Sequence, residues 1–399
     1  MHRLMLRSNT LRDRAGLNAS RVTSLELFFD LVFVFAITQL SHTLLGHLSV
    51  RGALEVTVLL MATWWLWMYT TWATNWVDPQ RGPVRLMLVL LMFGGLVFST
   101  SIPDAFDDTG LILAVTYSVI QIGRTLFVIS AFLGHREHLT MVRIAIWFVV
   151  SAPFWVAGAL VEGDARLILW AIALALDYVA PSAGYRVPRL GAATTTDWDI
   201  SPAHMAERCG LFVIIALGES VLVAGATFTD LERTFPVVAA FVAAFAGSVT
   251  LWWIYFGTIA DQATRHFEEV ANPGRVAVVA YTYLHLPIVA GIIVVAVGDE
   301  LVLAHPEGHS DMETILTVVG GPMLFLLGTL LFKVVSEIGR FPVSHIVGLG
   351  LLLVLIPLAG DLSPLTLSLL TTGILFVVGG AEAVANRRIG RPASPAIQA

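Results

Sequence analysis

Charge is what this 399-residue sequence has least of: Asp, Glu, Lys and Arg make up 13% of it, about half the share found in soluble domains. With 57% hydrophobic residues and a mean hydropathy of +0.80, that shortage excludes a soluble enzyme. Cysteine is almost absent as well. The single Cys209 lies in an apolar run, so neither an internal disulfide nor a cysteine metal site is available. The few basic residues form no stripe, which excludes a nucleic-acid partner. The sequence also lacks a phosphate-binding glycine loop, a nucleophile elbow and an HExxH helix. His135 and His138 form HxxH between apolar runs, and His42, His47, His305 and His309 fall near run ends, but none has a metal-site context. No enzymatic activity, metal or cofactor is expected.

What is present is a series of long apolar runs. A membrane-spanning helix needs about 20 predominantly apolar residues, because hydrocarbon offers the backbone no hydrogen-bond partners. Twelve stretches qualify: 25–48, 53–76, 84–102, 110–133, 140–161, 165–183, 206–226, 234–258, 274–298, 314–335, 341–359 and 363–386. The expected fold is therefore all-α, a polytopic transmembrane helical bundle solvated by the lipid bilayer. The Arg-rich start (Arg3, Arg7, Arg12, Arg14) precedes a run too long for a signal peptide and without a small-residue cleavage site, so it is read as flanking a retained first span.

Cationic loops stay in the cytoplasm during insertion. Alternate segments hold most of the Lys and Arg: the amino-terminal tail (also Arg21), then Arg81 and Arg85, Arg136 and Arg143, Arg186, Arg189 and Arg208, Arg265 and Arg275, Lys333 and Arg340, and Arg387, Arg388 and Arg391. The other loops hold Arg51, Arg166 and Arg233, and two of them are acidic (Asp104, Asp107, Asp108; Asp299, Glu300, Glu307, Asp311, Glu313). Both termini are thus expected in the cytoplasm, with the chain in the cell membrane.

The loop 184–205 reads as a linker and divides the chain into a tail 1–24, a six-helix repeat 25–183, a second repeat 206–386 and a tail 387–399. Glu26 corresponds to Glu207, Trp64-Trp65 to Trp252-Trp253, Gly123–Phe127 to Gly328–Phe332 and Asp177 to Glu382. Six spans is an even number, so both halves enter from the same side as a parallel repeat.

Ionisable residues inside spans are costly and face the bundle interior with a partner. Glu26, Asp30, Phe33, Ile37 and Ser41 share one face of the first span. Glu26 is open to two readings, a capping box with Thr23 or a path-lining carboxylate. Asp30, one turn deeper, is either gating or a structural hydrogen-bond acceptor. Arg124 is predicted to pair with Asp30 or Asp177, as a fixed staple or a moving coupling element. Glu219 and His285 are placed near the middle of the seventh and ninth spans, as a proton relay or as separately satisfied groups. Trp64 and Trp65 are expected to pack the bundle, and tryptophans near span ends to anchor at the interface. Pro287 and Gly291, and Gly320, Gly321 and Pro322, mark expected kinks or breaks.

ELFFDLVFVFAITQLSH (Glu26 to His42), HMAERCGLFVIIALGES (His204 to Ser220), WWIYF (Trp252 to Phe256) and YTYLHLPIVAGI (Tyr281 to Ile292) together resemble the bacterial low temperature requirement A family. That name records a growth requirement in the cold and implies no particular activity. Cys209 stands where the second motif is expected to carry His. The first span is also similar to the LEAFSDxVFAIAITLL signature of lysosomal and bacterial potassium channels built from six-helix units. Leu25, Glu26, Phe28, Asp30, Val32, Phe33, Ala36, Ile37, Thr38 and Leu40 match, and Phe29 replaces the serine. That resemblance implies a pore-lining first helix with Ile37 at a constriction. The second half lacks the Phe-x-Asp element, having Cys209 and Leu211 there.

These readings converge on a membrane transporter or channel for a small ion, with a path along the first and seventh spans and Asp30, Arg124, Asp177, Glu219 and His285 as its polar elements. The alternatives are a membrane enzyme acting on lipid or a lipid-linked substrate, and a non-catalytic stress-adaptation protein. A homo-oligomer is left open.

Overall fold

The computed structural model describes residues 10–12, 21–193, 200–257, 278–336 and 341–389, with side chains to 385. Among these residues are twelve helices and no strand: α1 (Ser24–Gly46), α2 (Val50–Trp76), α3 (Gly82–Thr100), α4 (Gly110–Ala131), α5 (His138–Ala159), α6 (Asp164–Ser182), α7 (Pro202–Asp230), α8 (Phe235–Tyr255), α9 (His285–Ala304), α10 (Met312–Val335), α11 (Val343–Ala359) and α12 (Pro364–Ile389). They correspond one to one with the apolar runs. Eleven are long and apolar enough to cross a membrane, and α11 is the shorter exception with 17 residues. Arg3, Arg7, Arg14, Arg265, Arg275, Arg340, Arg391 and the Arg387 and Arg388 side chains lie outside what is described, as do the middle of the linker and the start of the ninth run.

Helix starts follow local chemistry. Thr23 caps α1 and closes a capping box with Glu26, so the reciprocal hydrogen bonds expected of that spacing are made. Ser49 and Asp311 cap α2 and α10 with their side chains, and prolines stand in the first turns of α3 and α8, where no backbone donor is lost.

The described residues fall into two compact units, those up to Ile215 and those from Ala216 onward, the division falling inside α7. In the first unit α2 is the central helix, packed by α1, α4 and α6. It is buried over 72% of its most apolar window, and Trp64, Trp65 and Trp67 have no exposed surface. Trp64 and Trp65 thus pack the bundle as expected. Trp72 and Trp76, in the last turns of α2, are buried too, and Trp76 packs against Phe132. On α3 the opposite arrangement holds: Leu86, Leu90 and Phe93 are all more than 60% exposed at helical spacing, a face suited to acyl chains.

In the second unit α9 and α10 approach most closely, and glycines are the reason. A Cβ on Gly291 would meet Phe325 N at 2.5 Å, one on Gly321 would meet Val295 N at 2.7 Å, and one on Gly328 would meet Ile288 N at 2.8 Å. Between apolar helices in lipid, such close backbone contact supplies van der Waals attraction in place of the hydrophobic driving force that acts in water. The break expected at Gly291 or at Gly320-Gly321-Pro322 is therefore absent, and both helices run through. Irregularity occurs one step earlier, in a π-helical turn at Val278–Tyr283 before α9.

Two loop assignments also change. Asp299 and Glu300 belong to α9, with Asp299 only 9% exposed. Arg143, Arg208 and Lys333, counted among cytoplasmic-loop cations, and Arg166, counted outside, are buried on helices.

Candidate functional site

A buried polar network of the first unit joins α1, α2 and the start of α7. Glu26 lies in the first turn of α1 with no exposed surface. Its Oε2 accepts hydrogen bonds from the Thr23 amide (2.8 Å) and hydroxyl (2.9 Å) and from Arg12 Nη2 (3.2 Å). Its Oε1 lies 2.8 Å from His204 Nε2. The capping role is thus real, and it occupies only one of the two carboxylate oxygens fully. Asn75 orients the imidazole from behind: its amide nitrogen is 3.3 Å from His204 Nδ1 and donates to the Ser201 carbonyl, while its oxygen accepts from the Ser201 amide. Such an outer partner fixes ring orientation.

One turn along, Asp30 and Arg208 form a salt bridge of 2.7 Å between α1 and α7. Both are buried, Arg208 completely. Asp30 Oδ1 also accepts from Trp67 Nε1 at 2.8 Å, and the guanidinium stacks 5.6 Å from the Trp67 ring centroid and 6.0 Å from that of Phe29. The aromatic faces stabilise the cation. Even so, Asp30 Oδ2 and Arg208 Nε and Nη1 have no hydrogen-bond partner among the described residues. A buried ion pair with open hydrogen-bonding capacity on both partners is uncommon and calls for a cause.

Arg124 is therefore not the partner of either carboxylate, contrary to the pairing expected from the sequence. Its donors go to the Leu66 carbonyl and Thr70 Oγ1, each at 3.3 Å, and to Gln121 Oε1. Its guanidinium lies over Tyr69 and Phe148. Neutral oxygens and two ring faces thus do what a carboxylate was expected to do. Asp177 occupies its own site, accepting from Tyr117 Oη at 2.8 Å and Trp155 Nε1 at 3.5 Å. Ile37 is fully buried, on the same helix as Asp30.

In the second unit Glu219 is buried on α7. His285 opens α9 rather than standing at mid-span, and both ring nitrogens are engaged, by Tyr255 Oη at 2.8 Å and the Ala280 carbonyl at 3.0 Å. No nitrogen is left for a direct bond to Glu219. A further buried cluster binds α10, α11 and α12: Glu382 accepts from Lys333 Nζ and Ser344 Oγ and lies 3.4 Å from His345 Nδ1. Asp177 and Glu382, equivalent by the internal correspondence, thus have different surroundings, neutral donors in one case and a lysine in the other.

The sequence reading missed His204 and Arg208 as site members. Arg208 reads as a loop cation because it flanks a linker, and the signal available was its place four residues after His204, on the same face of one helix. Among the described residues no group of three His, Cys, Asp or Glu could hold a metal ion.

Twelve largely apolar helices with lipid-suited outer faces and ion pairs turned inward define a multi-pass helical membrane protein. Residues 21–379 match the family model described as bacterial low temperature requirement A protein, and the chain belongs to that family. It is 42% identical over 373 residues to an "Uncharacterized protein" of Rhizobium meliloti (strain 1021), covering 92% of this chain and 90% of the relative. No solved structure matches.

Proposed function

We propose that the protein is a transporter or channel for a small ion in the cell membrane, with both termini in the cytoplasm. The observation that carries this reading is the Asp30–Arg208 pair, buried between two spans, with unfilled hydrogen-bonding capacity on each partner. A purely structural pair is stabilised by filling those positions with protein groups, since breaking or half-satisfying it is expensive. Open positions suit an exchangeable partner: a cation or proton competing for Asp30 loosens Arg208, and with it the tie between α1 and α7. Glu26 and His204 lie beside this pair on the same two helices and, through the capping box and the His204 contact, hold the starts of α1 and α7 together.

Flux of potassium, sodium and protons into liposomes holding the purified protein tests this. Asp30→Asn is expected to abolish the flux, at least tenfold, whereas Glu26→Gln, which keeps the acceptor of the capping box, retains most of it. Wild-type vesicles no more permeable than empty ones to all three ions would overturn the proposal. Reporter fusions at each end are expected to read out in the cytoplasm.

A further inference from the structure

Asp299 lies in the second unit, in the last third of α9, with nine-tenths of its surface buried. Its Oδ2 accepts a hydrogen bond from Ser220 Oγ of α7 at 3.2 Å, and that hydroxyl is 2.9 Å from Ser248 Oγ of α8. No Lys, Arg or His among the described residues forms an ion pair with it; the buried cations of this unit serve Glu382 instead. The nearest charged neighbours along its own helix and along α7 are Glu300 and Glu219, both acidic. A carboxylate in hydrocarbon without a paired cation is stable when it carries a proton or a bound cation.

Beside it is a cavity of about 20 Å³ whose polar lining is Asp299 of α9 and Ser368, Thr371 and Thr372 of α12; the rest of its wall is apolar, including Gly247 and Leu251 of α8 and Val295 and Gly298 of α9. That volume admits one water-sized species. The surrounding side-chain donors are one carboxylate and several hydroxyls, with no nitrogen or sulfur. All-oxygen sites select hard cations, and a single negative charge matches a single positive one.

We propose that Asp299, the Ser220 and Ser248 hydroxyls and the Ser368, Thr371 and Thr372 side of the adjoining cavity form a binding site for one small monovalent cation, sodium. The site is independent of the Asp30–Arg208 reading, and its test measures binding rather than flux, so either proposal can fail alone.

Ligand bound only by the folded state raises the unfolding midpoint. Replacing 100 mM choline chloride by 100 mM NaCl is expected to raise the midpoint of the detergent-purified protein by about 2–4 °C, with a smaller rise in KCl because the larger ion does not fit. Asp299→Asn is expected to lose the sodium response. So is Gly247→Ala, whose added methyl group enters the cavity wall and meets nothing closer than Thr372 Oγ1 at 3.5 Å; this variant keeps the carboxylate and tests the site even if Asp299→Asn does not fold. Equal midpoints in the three salts, or a full sodium response in both variants, overturn the proposal. A midpoint that shifts with pH in the wild type but not in Asp299→Asn, without any sodium response, assigns the carboxyl a proton alone and overturns it as well.

Discussion

Arg208 and Arg124 are both completely or almost completely buried arginines on spanning helices, yet the consequences of removing them differ. Arg208→Met strips Asp30 of its cation and leaves a buried carboxylate with one indole donor, a change expected to cost about 3–5 kcal/mol. Arg124→Met orphans only neutral groups, the Gln121 and Thr70 side chains and the Leu66 carbonyl, and is expected to cost less. Combining Arg208→Met with Asp30→Asn removes both charges and should recover much of the loss. Thermal unfolding of the four proteins in detergent checks the order; an Arg124→Met protein less stable than Arg208→Met contradicts the assignment of partners.

At the scale of helices, contact between α9 and α10 depends on Gly291, Gly321 and Gly328, where a Cβ would come within 3 Å of backbone atoms of the other helix. Gly321→Leu is expected to force the pair apart and destabilise by about 1–3 kcal/mol or more, whereas Gly320→Ala, with nothing within 4 Å of the added atom, is expected to be neutral. Unfolding midpoints of the two variants distinguish a packing role from a general need for glycine. The start of α10 carries a pH dependence. The Asp311 carboxylate accepts from the Thr314 amide at 2.8 Å, which holds its pKa below the ordinary carboxylate value. The stability it contributes is present above that ordinary value and is lost as pH falls through the lower, folded-state value. Asp311→Ala should remove about 1 kcal/mol near neutral pH and less as the solution is acidified, as a pH series of unfolding midpoints would show.

For the whole molecule, exposed apolar faces such as Leu86, Leu90 and Phe93 require lipid or detergent, while polar side chains concentrate inside each unit. Cys209 lies fully inside the first unit. A thiol reagent is expected to leave it unmodified in the folded protein and to label it on denaturation, so rapid labelling in the native state would show the first unit to be open there. All twelve helices were legible in the sequence because hydrocarbon thickness imposes a minimum apolar length on every span, a one-dimensional property. The capping box at Thr23 and Glu26 was legible for a similar reason, since its partners are three residues apart. The partner of Asp30 was not, because Arg208 is 178 residues away and adjoins a linker whose charges resemble ordinary cytoplasmic flanks.

The sequence by itself determined that this chain lives in a membrane, how many helices it has, that Glu26, Asp30, Asp177, Glu219 and Glu382 lie within them, and the family to which it belongs. Each of these follows from composition, local spacing or motif. Tertiary structure alone decided that Arg208 rather than Arg124 neutralises Asp30, that His204 meets Glu26, and that Asp299 is a buried acid rather than a loop charge. The physical reason is that a helix period places a side chain on a face, whereas the groups able to satisfy a buried charge come from other helices, and several candidates of equal chemistry compete until packing brings one within hydrogen-bonding distance.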